Sequence, residues 1–508
     1  MPDLALAAPR VPSVADRRHS RSALLLRSCF LRGRLSSRMN VHCAKRPIRR
    51  IRVARPCRGW TPSLKRGKAM LDDSLPDRIR PVTVRHRWTI LVATTGGALE
   101  VFDFVIYGFF AQNIGAEFFP RQMGVSGQTL SFTVLAAGYL SRPLGGIVLG
   151  HFGDKYGRRI VFISSAMIAA VSTLLIGILP SYAVWGATAS VLLLALRLVQ
   201  GLCLGGELPG AVIYAVETTR ARPGFICGIV FVAVNLALLL ATTVNMVVQS
   251  MLTTDRIGAS GWRIGFLIGG MVGLLSFALR RTLAETDEYA QAIGARHREP
   301  LAVLFRSHLK PVAAGVAACS LVGASSGMFI GFMPSYLQGL HYEAREIASA
   351  QTLYLIAVAA CILITSYVGD LLPRYYVFRA GTVLSALLTP VFFIAAARYH
   401  VNLTAWFILA GTVTSLANGV YACAIAEMFP VDVRFSGLAT AMNLGLAASL
   451  GLTPLAAHIA ASNAHWNPGL PLVGCAAFAF AASFGMRRVP RRSDNNEASR
   501  RSRRRERA

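Results

Sequence analysis

Long, nearly unbroken apolar runs limit this chain more than any other feature. Val191 to Leu198 and Phe231 to Ala241 are two of them. Roughly 20 mostly apolar residues in a helix cross the ~30 Å of hydrocarbon in a bilayer. Charged residues make up only 15% of the chain and hydrophobic ones 54%. Soluble proteins carry about 25% charged residues, so charge is scarce where a soluble surface would need it. Hydropathy places twelve spans, at about 88–113, 128–152, 158–180, 185–215, 225–252, 262–280, 311–338, 347–370, 377–397, 403–426, 436–460 and 467–486. The expected fold is an all-α membrane protein of two six-helix halves, 88–280 and 311–486. A polar central loop, 281–310, joins them.

The formal net charge of +29 sits mostly outside the spans. Residues 1–87 form a basic extension with Arg46, Arg49, Arg50, Arg52 and Arg55, and 487–508 form a basic tail. With both ends cytoplasmic, the inside loops hold Lys155, Arg158, Arg159, Arg222, Arg374, Arg379 and Arg434. The outside loops hold Arg121, Arg256, Arg263, Arg345 and Arg398. This follows the positive-inside rule. The charge therefore reads as membrane topology, and no nucleic-acid partner is expected. Residues 1–69 contain no span and no signal peptide, and Met70 is an expected natural start. A chain beginning at Met70 is expected to insert and transport like the full one, as an uptake assay on that shortened chain would check. Nine cysteines occur without a C-x-x-C pair, so neither a zinc site nor a redox pair is expected. The chain also lacks the Walker sequence for ATP.

The two halves repeat each other. Ser366 to Phe378 aligns without gaps to Gly150 to Phe162, matching Gly369 with Gly153, Asp370 with Asp154 and Arg374 with Arg158. Glu217 to Gly224 corresponds to Glu427 to Gly437. Homologous halves around a midplane site are a transporter arrangement. Gly150 to Arg159 resembles the signature loop of the major facilitator superfamily. Three stretches are similar to its metabolite:proton symporters: Leu99 to Gly108, Arg197 to Glu207, and Gly261 to Arg263 with Arg281 to Thr286. Pro373 and Tyr375 depart from the signature in the second half, and Val101 departs from the aromatic often found there. The resemblance implies carriers of the citrate, 2-oxoglutarate, shikimate or proline/betaine kind.

Asp103 lies near the middle of the first span, where a carboxylate costs about 2.5–3.5 kcal/mol unless it faces a cavity or partner. Glu100 and Tyr107 share its helical face. Burial and a neighbouring carboxylate favour the protonated acid, which suits a proton carrier. The resemblance implies that Arg197 is its partner. Arg142 and Glu207 interrupt the second and fourth spans and pair either with each other or with substrate. Candidate substrate contacts are Arg142, Arg197, Tyr107 and Gln200 in the first half, and Tyr336, Asn418 and Tyr421 in the second. Gly150, Asp154, Lys155, Gly157, Arg158, Arg159, Glu217, Asp370, Arg374, Glu427 and Arg434 read as a cytoplasmic gate. Asp154 also sits where it could cap the third span. No cofactor is expected, and the chain reads as a monomer of the bacterial inner membrane.

The preferred function is import of an organic acid anion such as citrate or 2-oxoglutarate with protons, because two intramembrane arginines can hold carboxylates. The alternatives are a proline/betaine symporter and a drug/proton antiporter. A sensor or an intramembrane enzyme is the rival class, but the clustered His, Asp or Ser-His chemistry of an enzyme does not occur.

Overall fold

The computed structural model describes residues 92, 94, 101–119, 126–219, 222–252, 260–291, 299–399, 401–462 and 466–486. The expected arm, the tail and Glu100 lie outside them. Most of the described residues are helical, and none of them forms a strand. In hydrocarbon every backbone N–H and C=O must find an internal partner, which a helix supplies to its own segment. We label the spans in chain order: α1 (101–118), α2 (Gly127–Tyr156), α3 (Arg158–Ile178), α4 (Ala187–Thr218), α5 (Pro223–Met251) and α6 (Trp262–Arg280). The second series is α7 (Leu309–Gly339), α8 (Ala344–Leu371), α9 (Arg374–Arg398), α10 (Leu403–Glu427), α11 (Arg434–Ala461) and α12 (Leu470–Ser483). Ten of these are long and apolar enough to cross a membrane. Their exposed side chains are apolar too, as at Val191, Met246, Met271, Ile364, Leu387 and Phe478, which marks lipid as the outer solvent.

The packing follows the repeat. α2 lies along α4, and α3 along α6, while α7 packs on α11 and α8 on α10. Across the midpoint, α2 meets α11 and α5 meets α8. The α2–α4 crossing is close because side chains are missing there. A Cβ on Gly145 would strike the backbone of Leu202, and one on Gly205 the backbone of Arg142 and Gly146. The central loop carries two short helices, Asp287–Gln291 and Pro300–Ser307.

Three local features depart from the hydropathy reading. α1 runs on to Phe118, past the expected end at 113. Glu117 can sit in that last turn because Trp262 Nε1 donates to it at 2.6 Å and Arg263 pairs with it. α7 contains a π-helical stretch, Gly327–Phe332. α10 is interrupted at Gly419 and Val420. Polar groups of α8 meet the carbonyls near that interruption: Thr365 Oγ1 donates to Ser415 O at 2.9 Å, and Ser366 Oγ to Gly419 O at 2.9 Å. This is how a broken helix survives within a bundle.

The α2–α3 corner rests on Gly157, whose φ of +123° and ψ of 147° lie in a region essentially reserved for glycine. Gly157→Ala is expected to cost about 1–3 kcal/mol in this conformation. A lowered thermal unfolding midpoint in detergent would show it, and an unchanged midpoint would contradict the backbone argument. The equivalent corner of the second half uses Pro373 at φ −58°, so the repeat holds the residues around the turn and not the turn itself.

Candidate functional site

Two charges near the middle of their spans form a buried cluster in the first half. Asp103 on α1 and Arg197 on α4 pair at 2.7 Å, with Arg197 fully buried. The guanidinium is held on several sides. Its Nη1 also donates to Gln200 Oε1 at 2.7 Å, and Gln200 Nε2 donates to Thr173 Oγ1 at 2.8 Å. The Tyr107 and Phe104 rings face the guanidinium carbon at 4.1 and 4.6 Å. Tyr107 is fixed in turn by its hydroxyl, which donates to Ser131 O at 3.3 Å. Two aromatic faces suit the cation and exclude water. Nε and Nη2 of Arg197 donate no hydrogen bond to any described residue, and Oδ1 of Asp103 accepts none from one. The cluster therefore holds a charge pair with unused capacity on both sides.

The other candidate substrate contacts are dispersed. Arg142 is half-buried, with its guanidinium carbon 5.9 Å from the Tyr139 ring. Tyr336 joins an aromatic group with Phe332 and Phe393. Asn418 and Tyr421 flank the α10 interruption, and Tyr421 packs against Phe231 of α5. Asn443 reaches across the midpoint, its Nδ2 donating to Gly205 O at 2.7 Å.

At the end of the bundle that carries the central loop, the repeat becomes a pair of matching ion networks. Asp154 pairs with Arg158 at 2.6 Å, and Arg158 with Glu217 at 3.4 Å. In the second half Asp370 pairs with Arg374 at 2.7 Å, and Arg374 with Glu427. Each aspartate also reaches into the other half. Asp154 accepts the backbone N–H of Phe435 at 3.2 Å and of Ser436 at 2.7 Å, at the start of α11. Asp370 accepts those of Gly224 and Phe225, both at 2.8 Å, at the start of α5. A carboxylate there meets orphan donors and the positive end of the helix dipole. Asp154 thus caps α11, in place of the expected third span, whose N-cap is Gly157 without a side-chain bond.

Arg158 further donates to Val431 O, and Arg434 pairs with Glu217 at 3.3 Å and Glu288 at 2.7 Å. Gly150 lets α2 close on α11, since a Cβ there would stand 2.7 Å from Ser436 Cα. Lys155 and Arg159 bind the central loop and its approach, Lys155 to Glu299 at 3.2 Å and Arg159 Nε to Leu283 O at 2.6 Å.

Glu207 is held by a residue that the sequence reading passed over. Its partner is Arg280 of α6 at 2.6 Å, and Ser165 Oγ donates to it at 2.9 Å. Arg142 is not that partner. Arg280 looks like an ordinary basic flank beside Arg281. The signal that could have singled it out is the helical face Gly273, Ser276 and Arg280.

Residues 95–348 and 316–507 match the Major Facilitator Superfamily. A citrate-proton symporter of Salmonella typhi is 32% identical over 372 residues, spanning 72% of this chain and 85% of that one. A proline/betaine transporter of Salmonella typhimurium is 30% identical over 404 residues, spanning 74% of this chain and 80% of that one. The proton:xylose symporter XylE, solved with 6-bromo-6-deoxy-D-glucose, superposes with a TM-score of 0.63 at 16% identity, covering 80% of this chain and 96% of XylE. The outward conformation of FucP gives 0.58 at 14% identity, covering 82% of this chain and all of that one (100%). These two share the fold. The matched helices, the repeated ion networks and the two curated relatives place the chain together: it belongs to the Major Facilitator Superfamily, among its metabolite:proton symporters.

Proposed function

We propose that this protein imports a small organic acid anion together with protons, by alternating access of its two halves. The observation that carries this reading is the Asp103–Arg197 pair, buried at mid-membrane with spare donors on the arginine. Protonation of Asp103 removes one negative charge from the pair and frees Arg197 for a substrate carboxylate, which guanidinium binds bidentately. Arg142, Tyr107 and Gln200 from the first half, and Tyr336, Asn418 and Tyr421 from the second, complete the proposed path. Glu100, three residues before Asp103, is the reserve proton site.

The crossed aspartate caps and the Arg158, Arg374 and Arg434 networks are the proposed cytoplasmic gate, closed here. Both termini then lie in the cytoplasm of a cell whose inner membrane holds the protein as a monomer. Driven by the proton gradient, it works without a cofactor and performs no covalent chemistry. A zwitterionic osmolyte is the second reading, and the 30% identity to a proline/betaine transporter favours it. A carboxylate is common to both, so Arg197 serves either.

Proteoliposomes under an imposed pH gradient, acid outside, test this with labelled citrate, 2-oxoglutarate, proline and glycine betaine. Accumulation of a carboxylate above its equilibrium level, abolished by a protonophore, is expected. Accumulation of proline or betaine alone would select the second reading. Uptake that ignores the protonophore would contradict proton coupling.

A further inference from the structure

Two of the buried ion pairs of the first half, Asp103–Arg197 (through Asp103) and Glu207–Arg280, border one cavity. Its volume is about 40 Å³, and its polar lining comes from Asp103, Thr173, Gln200, Glu207, Ser276 and Arg280. A single water needs about 10–15 Å³ of such space, so the cavity has room for about three waters and none for a carried metabolite. The rest of its wall is largely alanine and glycine, which leaves the space open without supplying chemistry.

Glu207 and Arg280 are as deeply buried as the first pair, with side chains 4% and 0% exposed. Arg280 is immobilised: Nη1 donates to Phe162 O at 2.9 Å, and its guanidinium lies 3.8 Å over the Phe162 ring. Glu207 stands ten residues after Arg197 on α4, about 15 Å further along the axis toward the ion network at Glu217. A polar, water-sized space thus runs from the mid-membrane carboxylate to a second carboxylate nearer the central loop. It lies within one half and so apart from the seam between the halves. Asp103 Oδ1 at one end has no hydrogen-bond donor among the described residues.

We propose that Glu207 is a second proton station: the proton leaving Asp103 passes through water in this cavity to Glu207, on a path separate from the substrate's. This rests on the proposed role of Asp103. The step balances in charge. Protonated Asp103 becomes the carboxylate and re-forms its ion pair with Arg197. Glu207 becomes the neutral acid beside Arg280, whose positive charge stays. The groups around Glu207 are Arg280 from α6, Ser165 from α3 and Cys203 one turn earlier on its own helix, while Tyr214 packs on the same Phe162 ring as Arg280. Those around Asp103 are Arg197, with Tyr107 and Thr173 close by. A pair that only fastens α3, α4 and α6 together would not take up a proton during transport, and this separates the two roles.

The test uses the reconstituted full chain with labelled citrate and proline as probes, comparing Glu207→Gln with Asp103→Asn. Glutamine keeps the shape and the bond to Ser165 but cannot be protonated. Glu207→Gln is expected to retain substrate exchange, while gradient-driven uptake slows roughly 10²-fold, as for loss of a positioned proton-transfer group. Because Glu207→Gln leaves a buried arginine without its partner, a second measurement uses the unaltered protein. Dicyclohexylcarbodiimide modifies buried carboxyls in their protonated form. Adducts are expected on both Asp103 and Glu207 by mass spectrometry, rising as pH falls. Wild-type uptake by Glu207→Gln, or an adduct on Asp103 with none on Glu207 at any pH, would overturn the relay. Wild-type accumulation by Asp103→Asn would overturn the parent reading, and the relay with it.

Discussion

In the double variant Asp154→Asn/Asp370→Asn, the ends of the two halves beside the central loop are expected to part without any gradient applied. Each aspartate accepts two backbone N–H groups at the start of a helix in the opposite half. Asparagine keeps one acceptor oxygen and loses the charge. One lost hydrogen bond per site costs about 1 kcal/mol, and the lost charge at the helix dipole adds about 0.3–1 kcal/mol. Two sites together weaken closure by about 3 kcal/mol, which lowers the closed-to-open ratio roughly 10²-fold. The fold should survive, because Arg158 keeps Glu217 and Arg374 keeps Glu427. A cysteine at Ala439, buried on α11 against Gly146, reports the opening in a cysteine-free background. Its modification by an impermeant maleimide from the side that carries the central loop should quicken by about that same 10² factor. Unchanged accessibility on both faces of the membrane would remove these aspartates from the proposed gate.

The spans were legible because lipid admits almost nothing but apolar helices there. α6, expected at 262–280, is Trp262–Arg280. The two matching ion networks were legible because the repeat aligned Asp154 with Asp370 and Arg158 with Arg374. What the repeat could not display is that each aspartate serves the other half. A cap joins a side chain to backbone N–H groups, which carry no residue signature, and the capped helix lies some 280 residues away for Asp154. Hence α3 looked like the capped helix. Arg280 was hidden for a different reason. A basic residue at the end of a span reads as a flank, and only packing shows that α6 turns it inward to Glu207. The interruption of α10 left little trace either, since Gly419 is an ordinary residue of a membrane helix.

The second large effect concerns coupling. Arg197→Ala should be worse than loss of its partner. It removes the guanidinium that Tyr107, Phe104 and Gln200 position and leaves Asp103 buried without a counter-charge. Breaking a buried pair from one side costs about 3–5 kcal/mol. Exchange and accumulation should both fail in that variant, with lower stability in detergent.

Asp103→Asn separates the two activities, and it bears most directly on proton coupling. Asparagine resembles the protonated acid, so the loaded state becomes permanent and substrate can still bind. Exchange of labelled for unlabelled substrate needs no net proton movement. Accumulation against a concentration gradient does. Both are measured on one preparation of Asp103→Asn in proteoliposomes, with citrate and proline as probes. The account predicts that exchange persists in part while pH-driven accumulation is abolished. Accumulation at the wild-type level would contradict it and remove Asp103 from the mechanism.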